Sequence, residues 1–438
     1  MELKFISLLG WFTMIAVAWA ISYNRRLFPW RTVIWGVGLQ FTLAVLILKT
    51  PWGGALFDFA GKVIQKLILF SNEGCKFVFG PLADENLLSE KFGPGNSVIF
   101  AVLVMGTIII VASISSLLYH WGILQKVVHA FAWVMRKIMR TSGSETLSAC
   151  ANIFMGQTEA PLMIRPYIPR LTRSELMTIM VCGMAHIAGG VAAVYAAMGI
   201  RAGYPNTAGH LLTASVLNCP AALLIAKILL PETQKSETAA SAPATVPRTT
   251  ANSIDAICRG AGDGFHLALN VIAMLIAFIA MIALANYLYA FVQKEAAYFF
   301  LRVDCGKQVA DAMVYVPVTF QNFFGWINAP FAWLMGVPAQ DCLSVGQILG
   351  ERIVLNEFVG YLDLTANAKQ LALDPRSFTI ATYALCGFAN FASIAIQVGG
   401  IGSLAPERRS EMAKIGFRAM CGGLLAAYMT ASLAGFLL

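Results

Sequence analysis

The stretch CGMAHIA at Cys182–Ala188 returns in the second half of the chain as CGFANFA at Cys386–Ala392. Each copy is preceded by another matched stretch, FAWVM at Phe131–Met135 and FAWLM at Phe331–Met335. One short match could arise by chance in so narrow a composition, but two matches in the same order are much less expected. The sequence therefore predicts an internal repeat whose two copies fold alike.

The composition places this repeat in a membrane. Of the 438 residues, 58% are hydrophobic and only 12% are charged, whereas about a quarter of the residues of a soluble domain are charged. So few charges cannot cover the surface of a soluble protein of this length. The apolar residues also form runs of about 20, the length that crosses a hydrocarbon core. We therefore predict an all-α polytopic membrane protein with eight transmembrane helices: Phe5–Ser22, Thr32–Leu48, Ser97–Tyr119, Glu175–Met198, Leu211–Leu230, Phe265–Phe291, Phe378–Gly400 and Glu411–Leu438.

The positive charge lies mainly in a few short loops. The formal net charge is +8, and Lys and Arg cluster within positions 25–31, 126–140, 227–259 and 408–418. With eight spans all four clusters fall on one side, which the positive-inside rule assigns to the cytoplasm, and both termini lie outside. The clusters thus indicate topology and a lipid bilayer as partner, and they do not point to nucleic acid.

Two segments, Ser142–Arg170 and Cys342–Leu371, mix apolar and polar residues and do not fit as spans. Each begins and ends on one side of the predicted membrane, the first on the cytoplasmic side and the second on the outer side. Irregular backbone is tolerated at membrane depth only when it is buried in protein or lines a wet cavity. We therefore predict two re-entrant hairpins in an inverted repeat, an arrangement typical of secondary transporters with a site near the bilayer midplane.

A stretch rich in Ser, Thr, Ala and Pro, Thr233–Asn252, is typical of a disordered linker and divides the chain into two halves. The first predicted half has N-terminal spans that serve mainly as scaffold (1–122) and a first repeat with a hairpin, broken span four and span five (123–230). A cytoplasmic linker follows (231–252). The second predicted half has a scaffold part with span six and an outer segment (253–320) and a second repeat with a hairpin, broken span seven and span eight (321–438).

Each predicted hairpin carries a glutamate. The first contains GQTEAP at Gly156–Pro161, where glycine and proline interrupt regular helix, and the second contains Glu357. An ionisable residue at bilayer depth costs about 2.5–3.5 kcal/mol, so both carboxylates indicate a function. Two other interpretations stay open. Glu159 could be solvated in a cytoplasmic loop, and Glu357 could pair with Arg352, although five residues is a poor helical spacing for a pair.

Polar residues also interrupt two of the spans. Asn390 and Ser393 are three residues apart, so they share a helical face in span seven. His186 occupies the position in span four that matches Asn390 in the repeat, which leaves a packing role and a functional role equally open. Asn218, two residues before Pro220 in span five, is consistent with a simple kink.

The residue types favour binding over catalysis. The sequence has no histidine pair at metal spacing, no Walker loop and no nucleophile elbow, so we predict neither an enzyme nor an organic cofactor. The polar set offers acceptors for vicinal hydroxyls and both donors and acceptors for the edge of a heterocycle. It lacks a cluster of Lys or Arg, which argues against a phosphorylated ligand. A neutral, polar, partly planar solute fits this set.

Three motifs carry a resemblance over nearly the whole chain: GQTEAP at Gly156–Pro161, NEFVGY at Asn356–Tyr361 and CGFANFAS at Cys386–Ser393. In this order they resemble the concentrative nucleoside transporter family, and the chain is similar to a bacterial member. The resemblance implies a homotrimer with interfacial helices, in which a rigid scaffold forms the trimer and a mobile domain moves like an elevator. It also implies a multi-pass protein of the bacterial inner membrane that imports uridine-like nucleosides, namely pyrimidine nucleosides and some purine nucleosides.

The resemblance implies two groups of substrate-binding residues. The base would be held by Gln157, Thr158 and Glu159, with Val191 packing nearby. The ribose hydroxyls would be held by Glu357, Asn390 and Ser393, with Phe388 lining the site.

The resemblance also implies a sodium site between the first hairpin tip and the break in span four. Its ligands would be Asn152, the carbonyls of Met155 and Ile187, and the residue at position 186. The family has Ser or Thr there, whereas this chain has His186, and hard cations prefer oxygen ligands to imidazole. Na⁺ is the expected coupling ion. Because histidine titrates near physiological pH, H⁺ is the alternative, and a passive channel for small polar solutes is the alternative to a symporter.

Overall fold

The computed structural model describes residues 2–92, 99–238, 250–301, 319–370 and 373–438. Much of the predicted linker and of the outer segment lies outside these ranges. Within them the regular elements are helices and no β-strand occurs, which confirms the all-α prediction. The α-helices are α1 (Glu2–Ala20), α2 (Trp30–Lys49), α3 (Pro51–Phe79), α4 (Glu85–Phe92), α5 (Phe100–His120), α6 (Ile123–Met139), α7 (Gly143–Ala151), α8 (Arg173–Ala185), α9 (Gly189–Arg201), α10 (Thr207–Leu229), α11 (Ser253–Leu301), α12 (Phe320–Leu334), α13 (Cys342–Val354), α14 (Glu357–Gln370), α15 (Pro375–Ala384), α16 (Phe391–Leu404) and α17 (Arg409–Leu437). Short 3₁₀ helices lie at Gly80–Ala83, Ala160–Arg170, Ala339–Asp341 and Pro406–Arg408.

Seven helical segments within the described ranges are long and apolar enough to cross a membrane. They are α1, α2, α5, the pair α8 and α9, α10, α11 and the segment that contains α17. They coincide with seven of the predicted spans, although residues 97–98 of the third lie outside the described ranges. The remaining predicted span, Phe378–Gly400, is divided into α15 and α16, so neither piece alone has the length of a span.

Both interrupted spans break where the backbone is extended. α8 ends at Ala185, and His186 follows with φ −118° and ψ 161°. α15 ends at Ala384, and Asn390 precedes α16 with φ −142° and ψ 168°. The Asn390 side chain caps α16 by accepting a hydrogen bond from the Ser393 amide. Each break leaves backbone N–H and C=O groups without helical partners, so polar groups lie in the interior of the protein.

The two halves have the same order of elements. In the first half α6 leads into α7, an irregular tip, a 3₁₀ segment, the broken pair α8 and α9, and α10. In the second half α12 leads into α13, a tip, α14, the broken pair α15 and α16, and α17. This order supports the predicted repeat, and the inverted orientation of its copies in the membrane stays a prediction.

The core lies around α8, α10 and α17, whose side chains are mostly buried, whereas α11 keeps most of its side chains exposed. α11 packs closely along α5, because a Cβ added at Gly264 would lie only 2.9 Å from the Cβ of Ala112. Its exposed residues are largely apolar and include Ile276. The molecule therefore has a buried centre that holds both broken spans and an apolar outer layer.

α3 belongs to that outer layer. The sequence pattern does not mark this 29-residue helix as a span, because charged residues such as Lys62 and Lys66 interrupt its apolar residues. Large apolar side chains on α3, among them Trp52 and Phe77, are exposed. Such a helix suits the boundary between lipid and water, where one face is apolar and the other is charged.

Candidate functional site

The first hairpin ends in an irregular tip. Ser142 and Glu145 form a capping box at the start of α7, and regular helix stops at Ala151. The GQTEAP motif follows this point and runs into the 3₁₀ segment, which begins at Ala160. A Cβ added at Gly156 would lie 3.5 Å from the Cβ of Ala188, which is in the break between α8 and α9. The tip of the first hairpin therefore lies against the break in span four.

Glu357 begins the second arm of the other hairpin, at the start of α14, and is buried. Its Oε2 accepts a 3.0 Å hydrogen bond from Asn390 Nδ2, and its Oε1 accepts a 3.3 Å hydrogen bond from the Tyr195 hydroxyl. Tyr195 lies on α9 and stacks on Tyr361 with ring centroids 4.0 Å apart. The carboxylate thus joins the second hairpin to both broken spans.

Two glutamines join the tip of the first hairpin to the same region. Gln157 Nε2 donates a 3.2 Å hydrogen bond to the Ser393 hydroxyl, and Gln397 Nε2 donates a 3.1 Å hydrogen bond to Gln157 Oε1. The Ser393 N–H donates a 2.8 Å hydrogen bond to Asn390 Oδ1. One chain of hydrogen bonds therefore connects Gln397 to Glu357, and every residue between them belongs to the predicted substrate-binding set.

The two span breaks also touch each other. The Phe388 N–H donates a 3.3 Å hydrogen bond to the His186 carbonyl. Asn218 Nδ2 donates to the Ala185 carbonyl at 2.6 Å and to the Cys386 carbonyl at 2.9 Å. Asn218 therefore satisfies one backbone acceptor at each break, and its interpretation as part of a simple kink is incomplete.

The other residues of the predicted set differ in placement. Val191 is buried, while Thr158 and Phe388 are half-buried. Glu159 is exposed and accepts a 3.2 Å hydrogen bond from the N–H of Gly156 in its own tip. Among the described contacts Glu159 stands outside the hydrogen-bond chain, so its contact with a base stays a proposal.

Arg352 does not neutralise Glu357 by direct contact. Its side chain is fully buried, and its Nη1 donates to the carbonyl of Ala384, the last residue of α15. In the described part of the chain no nitrogen of Arg352 lies within the 4.0 Å of a carboxylate oxygen that defines an ion pair. Glu357 is therefore not half of a direct ion pair, although the buried Arg352 guanidinium is near enough to attract its carboxylate through space.

The residues expected to hold a cation differ in how well they fit one. Asn152 Nδ2 donates a 2.9 Å hydrogen bond to the Ser148 carbonyl, which leaves Asn152 Oδ1 buried and without a partner among the described residues. His186 Nδ1 lies 2.7 Å from the Cys182 carbonyl, so Nδ1 carries a proton and the buried Nε2 offers a lone pair. The amide oxygen suits a hard cation, and the imidazole nitrogen suits it less well.

No group of three or more His, Cys, Asp or Glu side chains that could hold a metal ion occurs in the described ranges. A site between the first hairpin and span four would thus depend on neutral oxygen donors. Such donors, the Asn152 amide and the carbonyls of Met155 and Ile187, match the preference of a hard cation.

Three residues of this site lie outside the set predicted from the sequence: Gln397, Tyr195 and the bridging Asn218. Gln397 has a recognisable signal, because it follows Ser393 by four residues and extends the polar face that begins at Asn390. Tyr195 has none, since an aromatic residue in an apolar span is usually a packing residue.

Comparisons with known proteins agree on one family. A family model described as "Na+ dependent nucleoside transporter C-terminus" matches residues 210–435, its N-terminal counterpart matches residues 9–82, and a model described as "Nucleoside recognition" matches residues 101–202. The chain is 35% identical over 432 residues to the nucleoside permease NupC of Helicobacter pylori, which covers 98% of this chain and 96% of that protein. The chain belongs to the concentrative nucleoside transporter family.

Other similar proteins support this membership. An uncharacterized transporter of Haemophilus influenzae is 40% identical over 433 residues, which cover 98% of this chain and 96% of that protein. The structure of CNTnw in an inward-facing substrate-bound state has a TM-score of 0.87 to this structure at 36% identity, covering 99% of this chain and 98% of that chain. Concentrative nucleoside transporters are membrane transporters, which confirms the predicted family and the prediction that the protein is not an enzyme.

Proposed function

We propose that this concentrative nucleoside transporter imports uridine-like nucleosides, including pyrimidine and some purine nucleosides, together with Na⁺ by elevator-type alternating access. The observation that carries the proposal is the continuous hydrogen-bond chain that joins both hairpin tips to both interrupted spans. Such a chain brings polar groups from the two halves into one place, as expected for a site between transporter repeats.

The ribose would lie at the second hairpin. The Glu357 carboxylate offers acceptors for two vicinal hydroxyls, and hydrogen bonds to a charged acceptor are the stronger ones. Asn390 and Ser393 lie next to this carboxylate in the hydrogen-bond chain. Phe388 is half-buried beside them in sequence and would line the site with its apolar ring.

The base would lie at the first hairpin. Gln157 is buried and Thr158 is half-buried, and both offer donors and acceptors for the edge of a heterocycle. Val191 supplies a buried apolar surface for a planar ring. Glu159 would contact the base only from the exposed edge of the tip.

Na⁺ is the second substrate in this proposal. Asn152 and the carbonyls of Met155 and Ile187 would hold it, with His186 beside them. One positive charge that moves through about 100 mV supplies about 2.3 kcal/mol. This free energy corresponds to a roughly fiftyfold accumulation of nucleoside.

The proposal extends to the arrangement in the membrane. We infer eight spans and two re-entrant hairpins in a bacterial inner membrane, with both termini outside and with the predicted division into scaffold and repeats. The exposed apolar faces of α3 and α11 support a scaffold that contacts lipid and neighbouring subunits of a homotrimer. The buried helices α8, α10 and α17 support a separate transport domain.

Labelled uridine taken up by proteoliposomes tests the function. We expect uridine to accumulate above the outside concentration when an inward sodium gradient is imposed, because the ion supplies the free energy. Replacement of sodium by choline is the control and should reduce uptake to the background of protein-free liposomes. Accumulation with a proton gradient alone would identify H⁺ as the coupling ion in place of Na⁺. Equilibration without accumulation under either gradient would indicate a passive channel.

His186→Ser should strengthen the dependence of uptake on sodium. A hydroxyl oxygen suits Na⁺ better than an imidazole nitrogen, and a polar contact to a charge contributes about 1.5–3 kcal/mol, so the half-saturating sodium concentration should fall about tenfold or more. His210→Ser is the matched control, because His210 is a second histidine of the apolar spans and its Nδ1 faces the Tyr383 hydroxyl at 3.2 Å. Equal responses of both variants to sodium and to pH would show that His186 only packs.

A further inference from the structure

Gln397 lies on α16 one turn beyond Ser393, and its exposed fraction is 0%. Its Nε2 lies 3.2 Å from the Met180 carbonyl and 3.1 Å from Gln157 Oε1. A backbone carbonyl can only accept a hydrogen bond. The atom of Gln397 that faces this carbonyl must therefore be the amide nitrogen, so Met180 determines the orientation of the Gln397 carboxamide.

That orientation determines the orientation of Gln157. Because Gln397 reaches Gln157 with the same NH₂ group, the facing atom of Gln157 must be its oxygen. The NH₂ group of Gln157 then points the other way, where it donates a 3.2 Å hydrogen bond to Ser393 Oγ. This bond uses one amide proton of Gln157 and leaves the second available to a ligand.

Gly183, in the CGMAHIA stretch, makes room for the two glutamines to meet. A Cβ added at Gly183 would lie 2.5 Å from Gln397 Nε2 and 3.1 Å from the Cβ of Gln157. The first distance is shorter than real Cβ contacts and the second is tighter than most of them, so a side chain at this position would displace the Gln397 amide. The glycine therefore permits the contact that orients the Gln157 carboxamide.

The other side of the site has an independent constraint of the same kind. The Ser393 N–H can only donate, so the Asn390 atom that lies 2.8 Å from it is the oxygen. Asn390 Nδ2 consequently faces the Glu357 carboxylate at 3.0 Å. Backbone groups thus determine the orientation of the Gln397 and Asn390 carboxamides. Both amides point their NH₂ groups at the next member of the hydrogen-bond chain.

We propose that Gln397 is a positioning residue for base selection. By holding Gln157 with its NH₂ group toward the site, it selects nucleobases that present an acceptor there, namely a carbonyl oxygen or an unprotonated ring nitrogen. The inference rests on the proposed function, because it takes the ligand of Gln157 to be a nucleobase. Gln397 acts through Gln157, since its own amide nitrogen is occupied by Gln157 and the Met180 carbonyl.

The test compares uridine with two analogues, one without the 4-carbonyl oxygen and one without the 2-carbonyl oxygen, as competitors of labelled uridine. In the wild-type protein one analogue should bind about five- to tenfold more weakly than uridine, the effect of one neutral hydrogen bond. Gln397→Met keeps the size of the side chain but cannot orient Gln157. In this variant the difference should fall below about twofold, and KM for uridine should rise while the maximal rate stays unchanged.

Two further variants separate positioning from packing. Gln397→Glu cannot donate to the Met180 carbonyl, so it should lose the discrimination as Gln397→Met does. Gln40→Met is the matched control, because Gln40 is equally buried but accepts from Trp11 Nε1 and donates to Thr430 Oγ1. It should retain the wild-type discrimination between uridine and the analogues.

The possible results separate the inference from the proposed function. Unchanged discrimination in Gln397→Met overturns the inference, and so does an equal loss of affinity for all three compounds, which indicates a purely structural role. Wild-type protein that binds all three equally also overturns it and leaves the proposed function intact. Wild-type protein that binds no nucleoside overturns the proposed function and the inference together.

Discussion

We expect Glu357→Gln to weaken uridine binding by at least about a hundredfold and to abolish measurable uptake. The wild-type carboxylate is buried and is held by Asn390 Nδ2 and the Tyr195 hydroxyl. A hydrogen bond to a charged group contributes about 1.5–3 kcal/mol, and two ribose hydroxyls would lose such an acceptor. The sum is at least about 3 kcal/mol, or about a hundredfold at 1.36 kcal/mol per tenfold. Isothermal titration of the purified protein and uptake by proteoliposomes measure the two effects.

The variant must be shown to fold before the loss is assigned to the ligand. Glutamine has the shape of glutamate. With its oxygen toward Asn390 Nδ2 and its NH₂ group toward the Tyr195 hydroxyl, which can also accept, it keeps both contacts, so we expect the thermal unfolding of Glu357→Gln to stay close to wild type. Glu411→Gln is the matched control, because it removes a carboxylate from the pair with Arg408 Nη2, 2.8 Å away and partly exposed. It should transport at the wild-type rate. Uptake at the wild-type rate by Glu357→Gln would show that Glu357 does not bind the substrate.

The interrupted spans could be predicted because their signal is local. Asn390 and Ser393 are polar residues three apart in an apolar run, and such a pattern predicts both a break and a shared face. The same rule, carried one turn further, indicates Gln397. The matched position of His186 follows from the repeat. These features depend on the order of residues along one segment, which the sequence shows directly.

The contacts between segments could not be predicted in this way. Asn218 donates to two carbonyls that are 33 and 168 positions away in the chain. Tyr195 reaches Glu357 across 162 positions. These bonds exist because α9, α10 and the two breaks pack side by side, and hydrophobic periodicity does not specify which helices become neighbours. The residues of the candidate site could therefore be predicted in part, but the hydrogen bonds between its segments required the structure.

We expect Lys227→Met to lower the free energy of unfolding by about 3–5 kcal/mol. Lys227 Nζ lies 2.7 Å from Glu145 Oε2, with side chains only 7% and 2% exposed, and 3.0 Å from the Ser174 hydroxyl. The substitution leaves the Glu145 carboxylate buried without its cation, and loss of one partner of a buried pair costs more than the intact pair contributes. Titration of the detergent-solubilised protein with SDS measures the loss.

The double variant Lys227→Met with Glu145→Gln should recover part of this loss, because it removes the buried Glu145 charge. The other carboxylates near Lys227 remain: Glu232 is 31% exposed, and the buried Glu175 keeps its hydrogen bonds from the Thr172 N–H and the Ser236 hydroxyl. Glutamine also preserves the capping box, in which the Ser142 N–H donates a 2.7 Å hydrogen bond to Glu145 Oε1. Arg170→Met is the control: its pair with Glu237 is 62% and 53% exposed, and its loss should cost less than about 1 kcal/mol. Equal losses in both single variants would show that the buried pair does not secure the hairpin. A larger loss in Lys227→Met would show that the buried pair of Lys227 and Glu145 holds the base of the first hairpin against α10.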